Sequence, residues 1–117
     1  MHELSIAGAV VDTALRHAED RRVLAVTLRV GQLRQVIPDL LEFYFGIVSR
    51  DTPVEGARLE QVVVPVRMRC ADCAHEWEPE LRFRCPECEG AGEVLAGDEL
   101  EVDSIEVEED KECIASR

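Results

Sequence analysis

Residues 70–88 read CADCAHEWEPELRFRCPEC, and the fold turns on how this stretch is used. Cys70 and Cys73 form one CxxC pair and Cys85 and Cys88 a second, with eleven residues between the pairs. A CxxC turn lets two thiolates reach one metal while backbone N–H groups point at the sulfurs. Two such turns complete the tetrahedron that structural Zn²⁺ prefers. The intervening HEWEPELRFR suits a short hairpin, with Trp77 and Phe83 placed to cover the site and His75 at a surface hairpin position. Four protein ligands leave no open position, so a structural rather than hydrolytic metal is expected. Iron also accepts tetrahedral sulfur. Rubredoxin-like turns favour Gly directly after the second cysteine, whereas Ala74 and Glu89 stand there in this chain.

The flanks of this stretch read as strands. ARLEQVVVPVRMR (57–69) predicts one long strand with Val62, Val64, Val66 and Met68 on one face. Pro65 has no N–H to donate, which marks an edge strand or a bulge. DELEVDSIEVEE (98–109) alternates through Leu100 and Val102, then through Ile105 and Val107, and the slip at Ser104 predicts a bulge. The cysteine stretch therefore interrupts a sheet between two of its strands.

Further upstream the periodicity changes. SIAGAVVDTALRHAED (5–20) predicts a helix with Ser5 as N-cap, a stripe of Ile6, Val10, Ala14 and His17, and Ala7, Val11, Leu15 and Ala18 beside it. His17, near the C-terminal end, reads as a surface residue favoured by the helix dipole. RVLAVTLRVGQL (22–33) predicts a strand with Leu24, Val26, Leu28 and Val30 on one face. IPDLLEFYFGIVSRDT (37–52) predicts a second helix, with Pro38 and Asp39 in its first turn. Leu41, Phe45 and Val48 recur at helical spacing alongside Leu40, Tyr44 and Ile47, and Phe43, Tyr44 and Phe45 are core candidates. The expected fold is α+β: two helices on one face of a small three-stranded sheet, with an inserted Cys₄ zinc-ribbon-like module. The expected domains are 1–68 with 98–108, an insert at 69–97, and an acidic tail at 109–117.

The totals narrow the function. In 117 residues with 46% hydrophobic content there is room for one ordinary domain, or a small one with an appendage. No apolar run reaches the roughly 18 residues of a membrane span, and the N-terminus does not read as a secretory signal, so the cytoplasm is expected. A net charge of −12 argues against nucleic acid. The cysteine stretch repeats that sign: residues 67–89 carry four Arg against six Asp or Glu. Residues 98–112 hold nine acids and one Lys, read as a solvated strand face and tail. Five cysteines, with Cys113 as an exposed tail thiol, do not form the even set of a disulfide scaffold.

The chain opens MHELS, with His2 beside the free α-amine. That opening, VGQLRQVIPDLLEFYF (30–45), GARL (56–59), the paired CxxC turns and SIEVE (104–108) occur together, in this order. Together they make the chain resemble, from Met1 to about Glu108, the hydrogenase and urease maturation nickel metallochaperone family HypA/HybF. The resemblance implies that His2, with Met1 and Glu3 beside it, binds nickel as transient cargo, and that Cys70, Cys73, Cys85 and Cys88 hold structural zinc. It also implies a nickel-insertion GTPase, HypB, as partner, the hydrogenase large subunit as recipient, and contact with urease accessory proteins. The protein itself would have no turnover chemistry. Glu89 stands where many members have His, and the acidic fourth nickel donor of some members has no clear match. Asp39 falls nearby but reads as a first-turn acid.

The chemistry supports the N-terminal assignment independently. Ni²⁺ accepts square-planar nitrogen donors. The α-amine, the amides of His2 and Glu3 and the His2 ring can supply four nitrogens, and the first N–H groups of a helix have no intrahelical partner to lose. Two other readings compete: a zinc-ribbon adaptor or regulatory protein in which His2 is incidental, and an iron–sulfur electron carrier.

Overall fold

The structure is a computed structural model that describes residues 2–79 and 84–108. Met1, Phe83, Cys113 and the 109–117 tail, each given a role by the sequence, lie outside the described residues.

Helix α1 spans His2–Ala18, so it starts ahead of the predicted N-cap and Ser5 lies inside it. Glu3 explains the earlier start: it is an acid in the first turn, where the helix dipole favours negative charge, and its side chain joins the buried face. Ile6, Ala7, Val10, Val11, Ala14 and Ala18 continue that face, while His17 is exposed. The helix stops at Ala18 because Glu19 and Asp20 both adopt positive φ, 53° and 70°, and reverse the chain. Arg21 donates its backbone N–H to the Ala18 carbonyl at 3.1 Å and its Nε to the same oxygen at 2.8 Å.

Strand β1, Val23–Gly31, buries Val26, Leu28 and Val30 as expected, but Leu24 is 37% exposed and Val23 and Ala25 are buried instead. Ala25 and Val26 are adjacent and both buried, so the strand is covered on both faces there. A 3₁₀ turn, Gln32–Arg34, ends at Gln35 in the left-handed region (φ 54°). Helix α2, Pro38–Val48, has Pro at its start and Asp39 in its first turn, as predicted, and packs against α1. Only Leu41 and Phe45 of α2 are fully buried. Phe43, a core candidate from the sequence, is 61% exposed and packs edge-on against Tyr44 at 5.5 Å. The face of α2 turned inward is the Leu41–Phe45 stripe, and Phe43 lies two positions off it.

The predicted long strand is two strands. β2, Arg58–Val64, is an edge of a three-stranded sheet ordered β2-β1-β6, where β6 is Leu100–Val107. β3, Arg67–Cys70, is the centre of a second sheet ordered β4-β3-β5, with β4 Glu76–Trp77 and β5 Gly92–Ala96. Pro65 sits between them and cannot extend either ladder. Burial changes phase across it: Leu59 is buried and Val62 exposed in β2, whereas Val66 and Met68 are buried beyond the proline. The predicted common face of Val62, Val64, Val66 and Met68 therefore fails at Val62. In β6 the half-buried positions are Leu100 and Val102, then Ile105 and Val107, the phase slip the sequence indicates.

The described residues form two compact units. The first comprises 2–28, Val36–Val62 and 101–108, and its core is the buried stripe of α1 together with Leu41, Phe45, Val54, Leu59 and the first half of β1. The second comprises Arg29–Gln35, 63–79 and 84–100. Residues 29–35 join it through backbone bonds from Gly31 to Glu99 (2.6 Å) and from Leu33 to Gly97 (2.7 Å), and through the Gln32 side chain, which accepts the Val66 N–H at 3.1 Å. A Cβ at Gly31 would collide with the Gly97 carbonyl, and Gly97 itself has φ 107°. Among the described residues, no helix is long and apolar enough to cross a membrane.

Ending the chain at Gly97 removes β6 from the side of β1 and deletes the Glu108 N–H bond to the Arg22 carbonyl. The expected loss exceeds the roughly 4–5 kcal/mol of the most damaging point substitutions. It should abolish the cooperative thermal transition seen by circular dichroism; a melting temperature equal to that of the full chain contradicts this.

Candidate metal centre

The four cysteines converge. Their sulfurs all lie within 4.8 Å of one another, with Cys70–Cys88 at 3.4 Å and both Cys73–Cys85 and Cys73–Cys88 at 3.6 Å. A tetrahedral Zn²⁺ with bonds of about 2.3 Å places its sulfurs about 3.8 Å apart, so the cluster has the dimensions of that site.

Each CxxC turn is built the same way. The Cys70 N–H donates to the His75 carbonyl (2.8 Å) and the Cys85 N–H to the Gly90 carbonyl (3.0 Å). Ala74 N–H closes back on Cys70 O at 3.1 Å, and Glu89 N–H on Cys85 O at 2.9 Å. That closure puts Ala74 and Glu89 in the left-handed region, φ 65° and 62°. The turn is therefore one that Gly would favour, formed here without it at a backbone cost. Backbone N–H groups of Asp72 and Cys73 point at Cys70 Sγ (3.3 and 3.4 Å), and that of Glu87 at Cys85 Sγ (3.4 Å). Gly90 is required by space: a Cβ there would lie 2.5 Å from Asp72 Oδ2 and 2.9 Å from Cys70 Sγ. The sequence offered no signal for that contact beyond the glycine itself.

Electrostatics point the same way. The Cys73 N–H, and then that of Asp72, draw the Cys70 thiol down to about 7. The Gly90 N–H also pulls on Cys88, yet the sulfurs of Cys70 and Cys73 outweigh it and push Cys88 up to about 12. Cys73 is raised too, against the pull of the His75 N–H and of the Cys88 sulfur, by desolvation and then by the sulfurs of Cys85 and Cys70. Once one sulfur is ionised the next resists, and a cation at the centre removes that resistance. His75 is not part of the cluster; its ring stacks on Trp77 at 6.1 Å and an interplanar angle of 10°. Trp77 lies across from Met68 in the β3–β4 ladder.

At the other candidate site, His2 is exposed and is the first residue of α1. Glu3 is only 6% exposed, and its Oε2 accepts the backbone N–H of Ile37 at 3.0 Å. Ile37 is the residue before α2 and has no side-chain cap of its own. This carboxylate thus ties the start of α1 to the start of α2, a link that sequence reading missed because nothing in residues 3 and 37 announces the pairing. The Ile37 N–H, and then Glu3's own, hold the carboxyl below its ordinary range.

Residues 1–107 match the family described as "Hydrogenase/urease nickel incorporation, metallochaperone, hypA". The chain is 46% identical over 110 residues to a hydrogenase maturation factor HypA from Geobacter metallireducens, covering 92% of this chain and all of that one. A relative of the same name from Methanopyrus kandleri is 33% identical over 133 residues, covering 92% and 94%. Among solved structures, the fold is similar to that of the Ni metallochaperone HypA from Helicobacter pylori, with TM-score 0.67, 22% identity and coverage of 92% of this chain and 97% of that one. A second solution structure, of a HypA protein, gives TM-score 0.71 at 23% identity with the same coverage. The chain belongs to the HypA family.

Two predictions come from these sites. Protein purified without added metal should hold one zinc per chain, Cys85→Ala should lose it, and Gly90→Ala should weaken zinc retention against a chelator at least about tenfold by crowding Cys70 Sγ. Elemental analysis and chelator competition measure this, and Gly90→Ala zinc retention equal to wild type contradicts it. The second concerns Glu3. Its folded pKa is lowered, so its contribution to stability is fully present above the unfolded value of about 4.3 and is lost as pH falls through the folded value. Denaturant titrations of wild type and Glu3→Gln should therefore differ at pH 7, with wild type the more stable, and converge in acid; a difference independent of pH contradicts this.

Proposed function

We propose that this protein binds Ni²⁺ at its N-terminus and delivers it to the active site of a [NiFe]-hydrogenase during maturation, while Cys70, Cys73, Cys85 and Cys88 hold a structural Zn²⁺. The observation that carries the reading is the match to the nickel-incorporation family across residues 1–107, which takes in both the His2 terminus and all four cysteines. The donors are the His2 ring, the Met1 amine and the backbone amides of His2 and Glu3. Exposure of His2 at a helix start leaves its ring accessible and its amide outside the intrahelical ladder. Glu3 contributes through its backbone, because its carboxylate is already engaged with Ile37. Its buried side chain then holds the short chelating peptide in one orientation, which favours metal binding over a freely moving terminus.

A chaperone needs a donor site that can let go. A terminal chelate on the exposed His2 suits transfer, whereas the four-sulfur site suits retention. The protein acts in the cytoplasm without turnover chemistry of its own; the GTPase HypB supplies nucleotide hydrolysis, and the hydrogenase large subunit receives the nickel. Urease accessory proteins are further partners, in keeping with the family's description.

His2→Ala should abolish nickel binding while zinc stays at one equivalent, and an uncleaved N-terminal extension should do the same by turning the amine into an amide. His17→Ala and His75→Ala should keep one nickel per chain. Nickel should be lost on acidification, because protons compete for imidazole, amine and amides. Isothermal titration and elemental analysis read all of these; tight nickel binding by the extended or His2→Ala protein overturns the N-terminal chelate and makes His2 incidental.

A further inference from the structure

We propose that Cys73 and Cys88 form an oxidant-sensitive pair, which a peroxide converts into a disulfide joining the two CxxC turns, with release of the zinc. The inference rests on reading the four-cysteine site as a zinc centre. Its ground is that the four ligands are not equivalent. Cys70 and Cys85 are 1% and 0% exposed, whereas Cys73 and Cys88 are exposed. Cys70 also receives two backbone N–H groups, from Asp72 and Cys73, where Cys85 receives one from Glu87, Cys73 one from His75 and Cys88 one from Gly90. Zinc keeps all four as thiolates, the reactive form, so access decides which of them is attacked.

The sulfur separations, 3.4 and 3.6 Å, are too alike to choose the partner, so exposure chooses it as well. The sequence suggests closure within a CxxC, Cys70 with Cys73 or Cys85 with Cys88, but each of those pairs an exposed residue with a buried one. The same is true of Cys70–Cys88 at 3.4 Å and Cys73–Cys85 at 3.6 Å. Cys73–Cys88, at 3.6 Å, is the only pair of the cluster in which both residues are exposed.

The chemistry closes without a further reactant. One exposed thiolate attacks a peroxide oxygen, an S–O bond forms, the O–O bond breaks, and hydroxide leaves to become water after taking a proton. The second thiolate attacks the resulting sulfenic sulfur, the S–S bond forms, the S–O bond breaks, and a second hydroxide is protonated to water. Two thiolates lose two electrons in total, and hydrogen peroxide is reduced to two waters. The zinc is left with Cys70 and Cys85 alone and dissociates. The structural module thereby becomes a redox-responsive one, and a dithiol reductant with added zinc restores it.

The test uses the full chain carrying Cys113→Ser, so that only the zinc-site thiols report, with its zinc content measured first. Hydrogen peroxide is added, zinc release is followed with a chromophoric chelator, and disulfides are mapped by mass spectrometry after trypsin. Trypsin cuts after Arg69, Arg82 and Arg84, so a disulfide between the turns joins two peptides that one within a turn leaves apart, and fragmentation identifies the cysteines. The expected result is one zinc released per Cys73–Cys88 disulfide as the first product, reversed by dithiothreitol and zinc. In the zinc-loaded protein, Cys73 and Cys88 should also alkylate with iodoacetamide about tenfold or more faster than Cys70 and Cys85. A protein that carries no zinc at the outset overturns the zinc reading and this inference with it. A zinc-loaded protein whose first disulfide has any other pairing, or that keeps its zinc while a free-thiol control is fully oxidised, overturns this inference alone.

Discussion

Four sulfurs within 4.8 Å of one another cannot all be thiolates unless a cation sits among them, and the second unit is built around that electrostatic constraint. Among its described residues the apolar core is small: Val30, Val66 and Met68 are buried there, with Cys70 and Cys85. A core of that size does not hold a unit of about 45 residues, and small domains of this kind take a metal in place of hydrophobic area. The sheet β4-β3-β5 follows from the same point. β3 ends in Cys70, β4 returns from the first turn, and β5 begins just after the second. Cation and backbone are matched in detail, since the same N–H groups that shape the turns point at the sulfurs they present.

The first unit rests on a different force. Its stability comes from apolar burial along α1, the Leu41–Phe45 stripe of α2 and the central strand β1. One polar contact matters there out of proportion to its size: the Glu3 carboxylate bound to the Ile37 N–H. A chain terminus is ordinarily the least ordered part of a domain. Here the residue after His2 is buried and hydrogen-bonded to the start of the second helix, so the proposed nickel peptide begins from a fixed point. In the proposed function, retention and transfer are divided between two kinds of site, one of four sulfurs and one of nitrogen donors at the N-terminus.

The proline between β2 and β3 shows how one residue apportions the chain. Seven residues before it pair in one sheet and four after it pair in another, with the buried face changing phase across the break. A continuous strand would have carried one apolar face through both sheets; the missing N–H of Pro65 prevents it.

Much of this was legible without coordinates. The grouping of the four cysteines follows from CxxC spacing, because two thiols with two residues between them can reach one ion in a local turn whatever surrounds it. The two helices, the three-stranded sheet and the phase slip in β6 follow from periodicity, which local backbone geometry imposes. The family resemblance, too, rests on residues in order along the chain. Other features depend on contacts between distant positions, and no local pattern encodes those. Phe43 and Leu24 look like core residues by composition and are exposed, because burial depends on which neighbours arrive. Glu3 meets Ile37 across 34 positions, and Gly90 approaches Cys70 across twenty, through chain paths that exist only once both elements have packed. The division of the four cysteines into a buried pair and an exposed pair is of the same kind: the spacing makes them equivalent as ligands, and only the packed chain makes them different to solvent.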